Sequence, residues 1–204
     1  MTINHNTIGL ETVEKAVENG SPLFGMDTGS DDFNRACDHI LLLIEDAFSC
    51  HTRESFGSSV FLAITAIEEI AKAEVGIYRR SEQKDELKRH KDPLFNHLSK
   101  HRMAILPTVF MGKRLEDALG VERCEQLLTE VAEGSLRELR ENALYFQNLD
   151  GKFVTPNDVV DKDKSKEILL LVIEAADDRL VGYTGHTGII ERRLDELFEE
   201  TKNS

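Results

Sequence analysis

Three short segments carry side chains that could do chemistry together. In Ala66-Ile67-Glu68-Glu69-Ile70-Ala71-Lys72-Ala73, two carboxylates and an ammonium interrupt an otherwise apolar helix. In Phe95-Asn96-His97-Leu98-Ser99-Lys100-His101, two imidazoles and an ammonium occupy adjacent turns. In Arg137-Glu138-Leu139-Arg140-Glu141-Asn142-Ala143-Leu144-Tyr145, the stem of Arg140 runs inward with Leu136, Ala143 and Leu144. Charge on an inward face must be paired, hydrogen-bonded or neutralised. His97 and His101, four apart and flanking Lys100, offer a general base with a neighbouring cation, or two nitrogens for one metal. Arg140 needs a carboxylate or a ligand phosphate for its fork of donors.

Glu69 is the internal carboxylate expected to meet Arg140, because it falls in the small-residue row of Ala66, Ala73 and Gly76, where a close helix would remove water. Glu68 and Lys72 have the i,i+4 order of an ordinary exposed helix pair. Tyr145 could add a hydroxyl at the same level. The third ligand of a metal site would have to come from Glu68 or Glu69 on another helix, and no HExxH or ExxH pairing accompanies the two histidines. The site is therefore read with no metal and no cofactor.

These side chains need helices to hold them. Ser30 or Asp31 can cap a helix over about 32–51, with Ile40, Leu43, Ile44 and Phe48 on one face. A second helix over about 55–80 is apolar nearly all round and should be central. Pro93 suits the first turn of a third, ending near Leu106 before Pro107. A fourth runs over about 121–146 and is broken near Gly134-Ser135. Asn148 to Lys152 reads as a turn, Phe153 to Pro156 as an extended strip, and helices follow over about 164–181 and 189–201. Residues 1–29 form an N-terminal arm with one short helix, and 30–204 a single bundle.

The 204 residues suit one domain, with 40% apolar content, four Pro and none of the alternation that announces a sheet. The fold class is all-α. A net charge of −13 argues against coating the whole surface with nucleic acid. The stretch Arg79 to Arg102 reverses that balance and is the one part that could meet a phosphate backbone. Cys37, Cys50 and Cys124 are widely spaced and support neither a disulfide framework nor a thiolate zinc site. No apolar run spans a bilayer and no leader pattern opens the chain, so a cytoplasmic protein with no membrane partner is expected.

The order A-I-E-E-I-A-K-A, F-N-H-L-S-K-H, L-R-E-N-A-L-Y-F-Q-N-L-D-G-K-F-V-T-P resembles the AbiV-type abortive-infection proteins, a branch of the HEPN superfamily. The closest part is Arg140, Glu141, Leu144, Tyr145, Asp150, Gly151, Phe153 and Pro156. The resemblance implies a HEPN-like antiparallel bundle of four core helices with extra N- and C-terminal helices. It also implies a homodimer, and an antiphage role acting on RNA or translation, with a phage or antitoxin protein as a further partner. Many relatives cleave RNA without a metal, using an Arg and a His separated by about four to six residues. Here Arg179 and His186 have that separation, with Leu180 where active relatives commonly carry a polar residue. In that version His186 takes the proton of a ribose 2′-hydroxyl and Arg179 stabilises the phosphorane. A second version gives the same jobs to His97, His101, Lys100 and Arg140. The competing reading is a non-catalytic protein-binding module in which Glu68, Glu69, Lys72, His101 and Arg140 form a structural polar network.

Overall fold

The computed structural model describes residues 5–79, 91–107 and 113–204. The described residues are mostly helical. Helix α1 spans His5–Glu18, α2 Gly29–Thr52, α3 Phe56–Tyr78, α4 His97–Ile105, α5 Arg114–Leu119, α6 Val121–Glu133, α7 Ser135–Asn142, α8 Pro156–Val159, α9 Lys162–Leu180 and α10 Thr187–Lys202. A two-stranded hairpin, β1 Gln147–Leu149 and β2 Lys152–Val154, lies between α7 and α8.

Helix α3 is the axis of the bundle. Val60, Ala63, Ile64, Ile67, Ile70, Ala71 and Val75 are fully buried, and burying each of its isoleucines contributes about 2 kcal/mol. Helices α2 and α9 pack along it, α10 closes on α9 and α2, and α1, α4 and α7 cover its remaining sides. An all-round apolar sequence thus becomes an all-round covered helix. The N-terminal arm lies against this bundle: Ala16 is fully buried, and Arg79 at the end of α3 donates from Nε to the Ala16 carbonyl at 2.8 Å and from Nη2 to that of Asn19 at 2.7 Å.

Two local features decide where the third and fourth segments arrive. Pro93 opens a short 3-10 turn over Pro93–Phe95 rather than an α-helix, and α4 starts afresh behind Asn96, whose side-chain oxygen accepts from the Ser99 N–H at 3.0 Å. Gly134, at φ +97°, ends α6 in the left-handed conformation that only glycine adopts cheaply, so α7 leaves in a new direction and lies on α3 and α4. Asp150 and Gly151, at φ +52° and +80°, make the tight hairpin turn that pairs Leu149 with Lys152. The turn falls on the acidic-Gly signal and β2 on the start of the extended strip expected from Phe153, whereas β1 has no counterpart in the sequence reading.

Gly57 marks the place where α3 meets the end of α7 and the start of α8. A Cβ there would lie 2.6 Å from Pro156 Cβ and 2.8 Å from the Ala143 carbonyl oxygen. Gly57→Ala should therefore cost about 1–2 kcal/mol despite its better helix propensity, seen as a lower thermal midpoint; an unchanged or raised midpoint would contradict the close packing.

Candidate functional site

Glu68 projects from the middle of α3 into the space that α4 and α7 enclose, and only 4% of it is exposed. Four basic side chains converge on its carboxylate. From α4, His97 Nδ1 lies 2.6 Å from Oε1, His101 Nε2 3.2 Å from the same oxygen, and Lys100 Nζ donates to Oε2. From α7, Arg140 Nε lies 3.6 Å from Oε1, an ion-pair distance without a hydrogen bond. The Arg140 guanidinium sits over the Phe61 ring at 4.7 Å, and its Nη1 is 3.2 Å from Glu141 Oε1.

Burial pushes the Glu68 carboxyl up, but the bonds from His101, Lys100 and His97 outweigh it and hold the group down at about 2. An ionised carboxylate can only accept, so both facing ring nitrogens carry their protons. His97 thereby has Nδ1–H on Glu68 and, when neutral, a lone pair on Nε2. Its side chain is 43% exposed, so that lone pair can be reached from outside. His101 is the opposite case: fully buried, its pKa is lowered chiefly by that burial, although Glu68 pulls it up, and its Nδ1 has no hydrogen-bond partner. Glu68 faces two cations, Lys100 and Arg140, and Arg140 also pairs with Glu141, so two carboxylates meet two cations. The rings point at the carboxylate rather than converging on a common cation position.

The arrangement corrects the expected partner of Arg140. Glu68, not Glu69, is the internal carboxylate. One residue is about 100° of helix rotation, and that turns Glu69 out to an open strip beside Leu23 and His39, where Lys72 Nζ bonds its Oε2 at 2.6 Å. Lys72 accordingly pairs with Glu69 and not with Glu68. Tyr145 is 57% exposed, beyond the end of α7 rather than in the cluster.

The basic stretch also changes meaning. Arg79 is buried with Asp92, Nη2 to Oδ1 2.6 Å, and Arg102 donates from Nε to the Ala132 carbonyl at the end of α6 at 3.0 Å. Lys100 turns into the site, while Arg80, Lys84, Lys88 and Arg89 lie outside the described residues. Of the described cations in this stretch, only Lys91 is exposed.

Arg179 and His186 address different carboxylates. Arg179, in α9, reaches Glu74 of α3 with Nη1 to Oε1 at 3.2 Å; His186, at the start of α10, places Nε2 2.6 Å from Asp38 Oδ1 of α2. Glu74 is a second buried carboxylate that the sequence did not single out. Its pKa is raised by burial, against the pull of Arg179. The signal was present in Ala73-Glu74-Val75-Gly76, a charge within a small-residue run. Among the described residues, no group of three or more His, Cys, Asp or Glu is placed to hold a metal, and no helix is long and apolar enough to cross a membrane.

The buried rings give a pH signature. His51, between Ser165 Oγ at 2.9 Å and Ser204 Oγ at 3.1 Å, has its pKa lowered by burial and by Lys162 and Lys166. His51 and His101 both take protons less readily folded than unfolded. The stability they contribute is complete above the unfolded value of about 6.5 and is lost as pH falls through their folded values. In an NMR titration these two rings should titrate below pH 6.5; a midpoint at or above it for either would contradict its burial.

A helical bundle with α3 sheathed on all sides and a polar site shared by three helices is a protein of the HEPN-like all-α class. Comparison with protein families matches residues 34–176 to AbiV, a HEPN family, and the chain belongs to it. The match covers most of α2, all of α3, α4 and α7 and most of α9, and so all the residues around Glu68. Membership points to a role in abortive infection of phage-infected cells. No curated protein and no solved structure matches the chain.

Proposed function

We propose that this protein is an abortive-infection effector that acts on RNA and stops translation, and that the cluster around Glu68 is a metal-independent ribonuclease site. The observation that carries this reading is the pairing of an exposed imidazole edge, held in one tautomer by a buried carboxylate, with a guanidinium from another helix. His97 Nε2 would take the proton of a ribose 2′-hydroxyl as that oxygen attacks the adjacent phosphorus. Arg140, supported by Lys100, would stabilise the added negative charge of the phosphorane. The bond to the 5′-oxygen then breaks, the proton on His97 passes to it, and the products are a 2′,3′-cyclic phosphate and a 5′-hydroxyl. His101 and Glu68 act as positioning residues. The pair Arg179 and His186 is the less favoured site because each is directed at its own carboxylate.

The reading expects a cytoplasmic protein acting as a homodimer, with a phage or antitoxin protein as trigger or restraint. Its test is incubation of purified protein with tRNA, rRNA and mRNA at low salt, with mapping of the cleaved ends, beside His97→Ala and His186→Ala. Cyclic-phosphate ends that vanish in the first variant and persist in the second support it; loss only with His186→Ala would move the chemistry to α10.

A second reading is favoured by one observation: Glu68 is fully surrounded by donors, as a purely structural network would be. In that case function lies in a protein partner. Toxicity to growing cells without any RNA cleavage, unchanged by His97→Ala, is its expected result.

A further inference from the structure

The hairpin that follows α7 carries the largest exposed aromatic surface of the described chain. Tyr145, Phe146 and Phe153 are 57%, 70% and 62% exposed, and the rings of Phe146 and Phe153 lie 5.3 Å apart at 38°. Soluble proteins do not place three neighbouring rings in water without use. The rings are not on a loose tip. Ala143 is buried against Gly57, the Leu144 and Tyr145 N–H groups close onto the Glu141 carbonyl at 3.2 and 3.1 Å, and Gln147 Nε2 bonds Asn142 Oδ1 at 2.9 Å. The hydrogen bonds among these ties end on the last turn of α7, the same turn that presents Arg140 to Glu68.

We infer that this hairpin is a stacking platform for the unpaired bases of single-stranded RNA, next to the site whose Arg140 guanidinium meets the backbone. The inference rests on the ribonuclease reading of that site and adds the form of substrate it accepts. Exposed rings beside fixed cations match a strand whose bases are free to stack and whose phosphates are close by, whereas a duplex hides its base faces. Area argues against a second copy of this chain as the occupant: rings of this kind cover about 200 Å² each when fully buried, so the exposed parts sum to roughly 400 Å², half of the ~800 Å² per partner that a stable dimer needs. Stacking reads the face of a base rather than its edge, so sequence preference should be slight.

The experiment uses the full chain in a His97→Ala background, so that RNA is bound but not cut, with a fluorescein-labelled oligouridine strand and a labelled RNA duplex. Two further pairs of substitutions are compared: Phe146→Ala with Phe153→Ala, and Phe146→Leu with Phe153→Leu, each checked by circular dichroism. Both pairs should weaken binding of the single strand roughly ten- to a hundredfold and change duplex binding little. The leucine pair keeps apolar area and removes the ring face, so it separates stacking from general stickiness. Single-strand affinity unchanged by either pair overturns this inference alone. A change from dimer to monomer in sedimentation, with RNA affinity per chain unchanged, also overturns it and makes the hairpin a contact between copies. Failure of the parent protein to bind either RNA overturns the site reading and this inference together.

Discussion

Glu68→Gln should lower the stability of this protein by about 3–5 kcal/mol, because it removes the buried carboxylate that Lys100 and Arg140 both face and leaves the two cations without it. For a chain of this size that corresponds to a fall in thermal midpoint of roughly 10 °C. The expectation is specific to position 68. Glu69→Gln, one residue on, breaks a half-exposed pair with Lys72 and should cost well under about 1 kcal/mol. A double substitution, Glu68→Gln with Lys100→Met, should recover part of the loss, because the ammonium no longer sits unpaired in a buried place. Urea unfolding of the four proteins checks all of this. Equal effects at 68 and 69, or no recovery in the double variant, would show that the carboxylate is not the centre of the network.

His97→Ala should divide stability from activity. The ring is half exposed and makes one hydrogen bond, so the thermal midpoint should move by only a few degrees. Loss of a positioned base should slow RNA cleavage by about 10²- to 10⁴-fold. Arg140→Lys is the useful companion: it keeps the charge but loses the fork of donors and the flat contact with Phe61, and should still cost about tenfold or more. Both variants should be read as cleavage rate against folded protein. Cleavage by His97→Ala at the wild-type rate would remove this residue from the chemistry, whatever the stability data show.

The plan of the bundle was legible in the sequence because it rests on periodicity. An α3 apolar on all sides is central, Gly134-Ser135 breaks the helix before α7, and Asp150-Gly151 turns the chain. The three segments that meet at Glu68 were also legible, as charges on inward faces. What could not be read was which neighbour of a carboxylate pair points in. Glu68 and Glu69 differ by one step of helix rotation, and the choice depends on where α4 and α2 lie around α3, a tertiary fact with no local signal. The same limit hid Glu74, whose partner Arg179 lies 105 residues away. It also hid the burial of Arg79, which read as part of a basic surface and instead ties the first helix to the third. Helix α5 escaped notice because Arg114–Leu119 is too short for a periodic pattern.

The Glu68 cluster draws on α3, α4 and α7, which are made in that order as the chain is synthesised. Glu68 and the two histidines come first, and Arg140 arrives only after α6 and the turn at Gly134 have been laid down. A nascent chain therefore carries no complete site until most of its length has left the ribosome. For a protein read as silencing translation, this order of synthesis keeps the site incomplete until the chain has been made past Gly134 and Arg140.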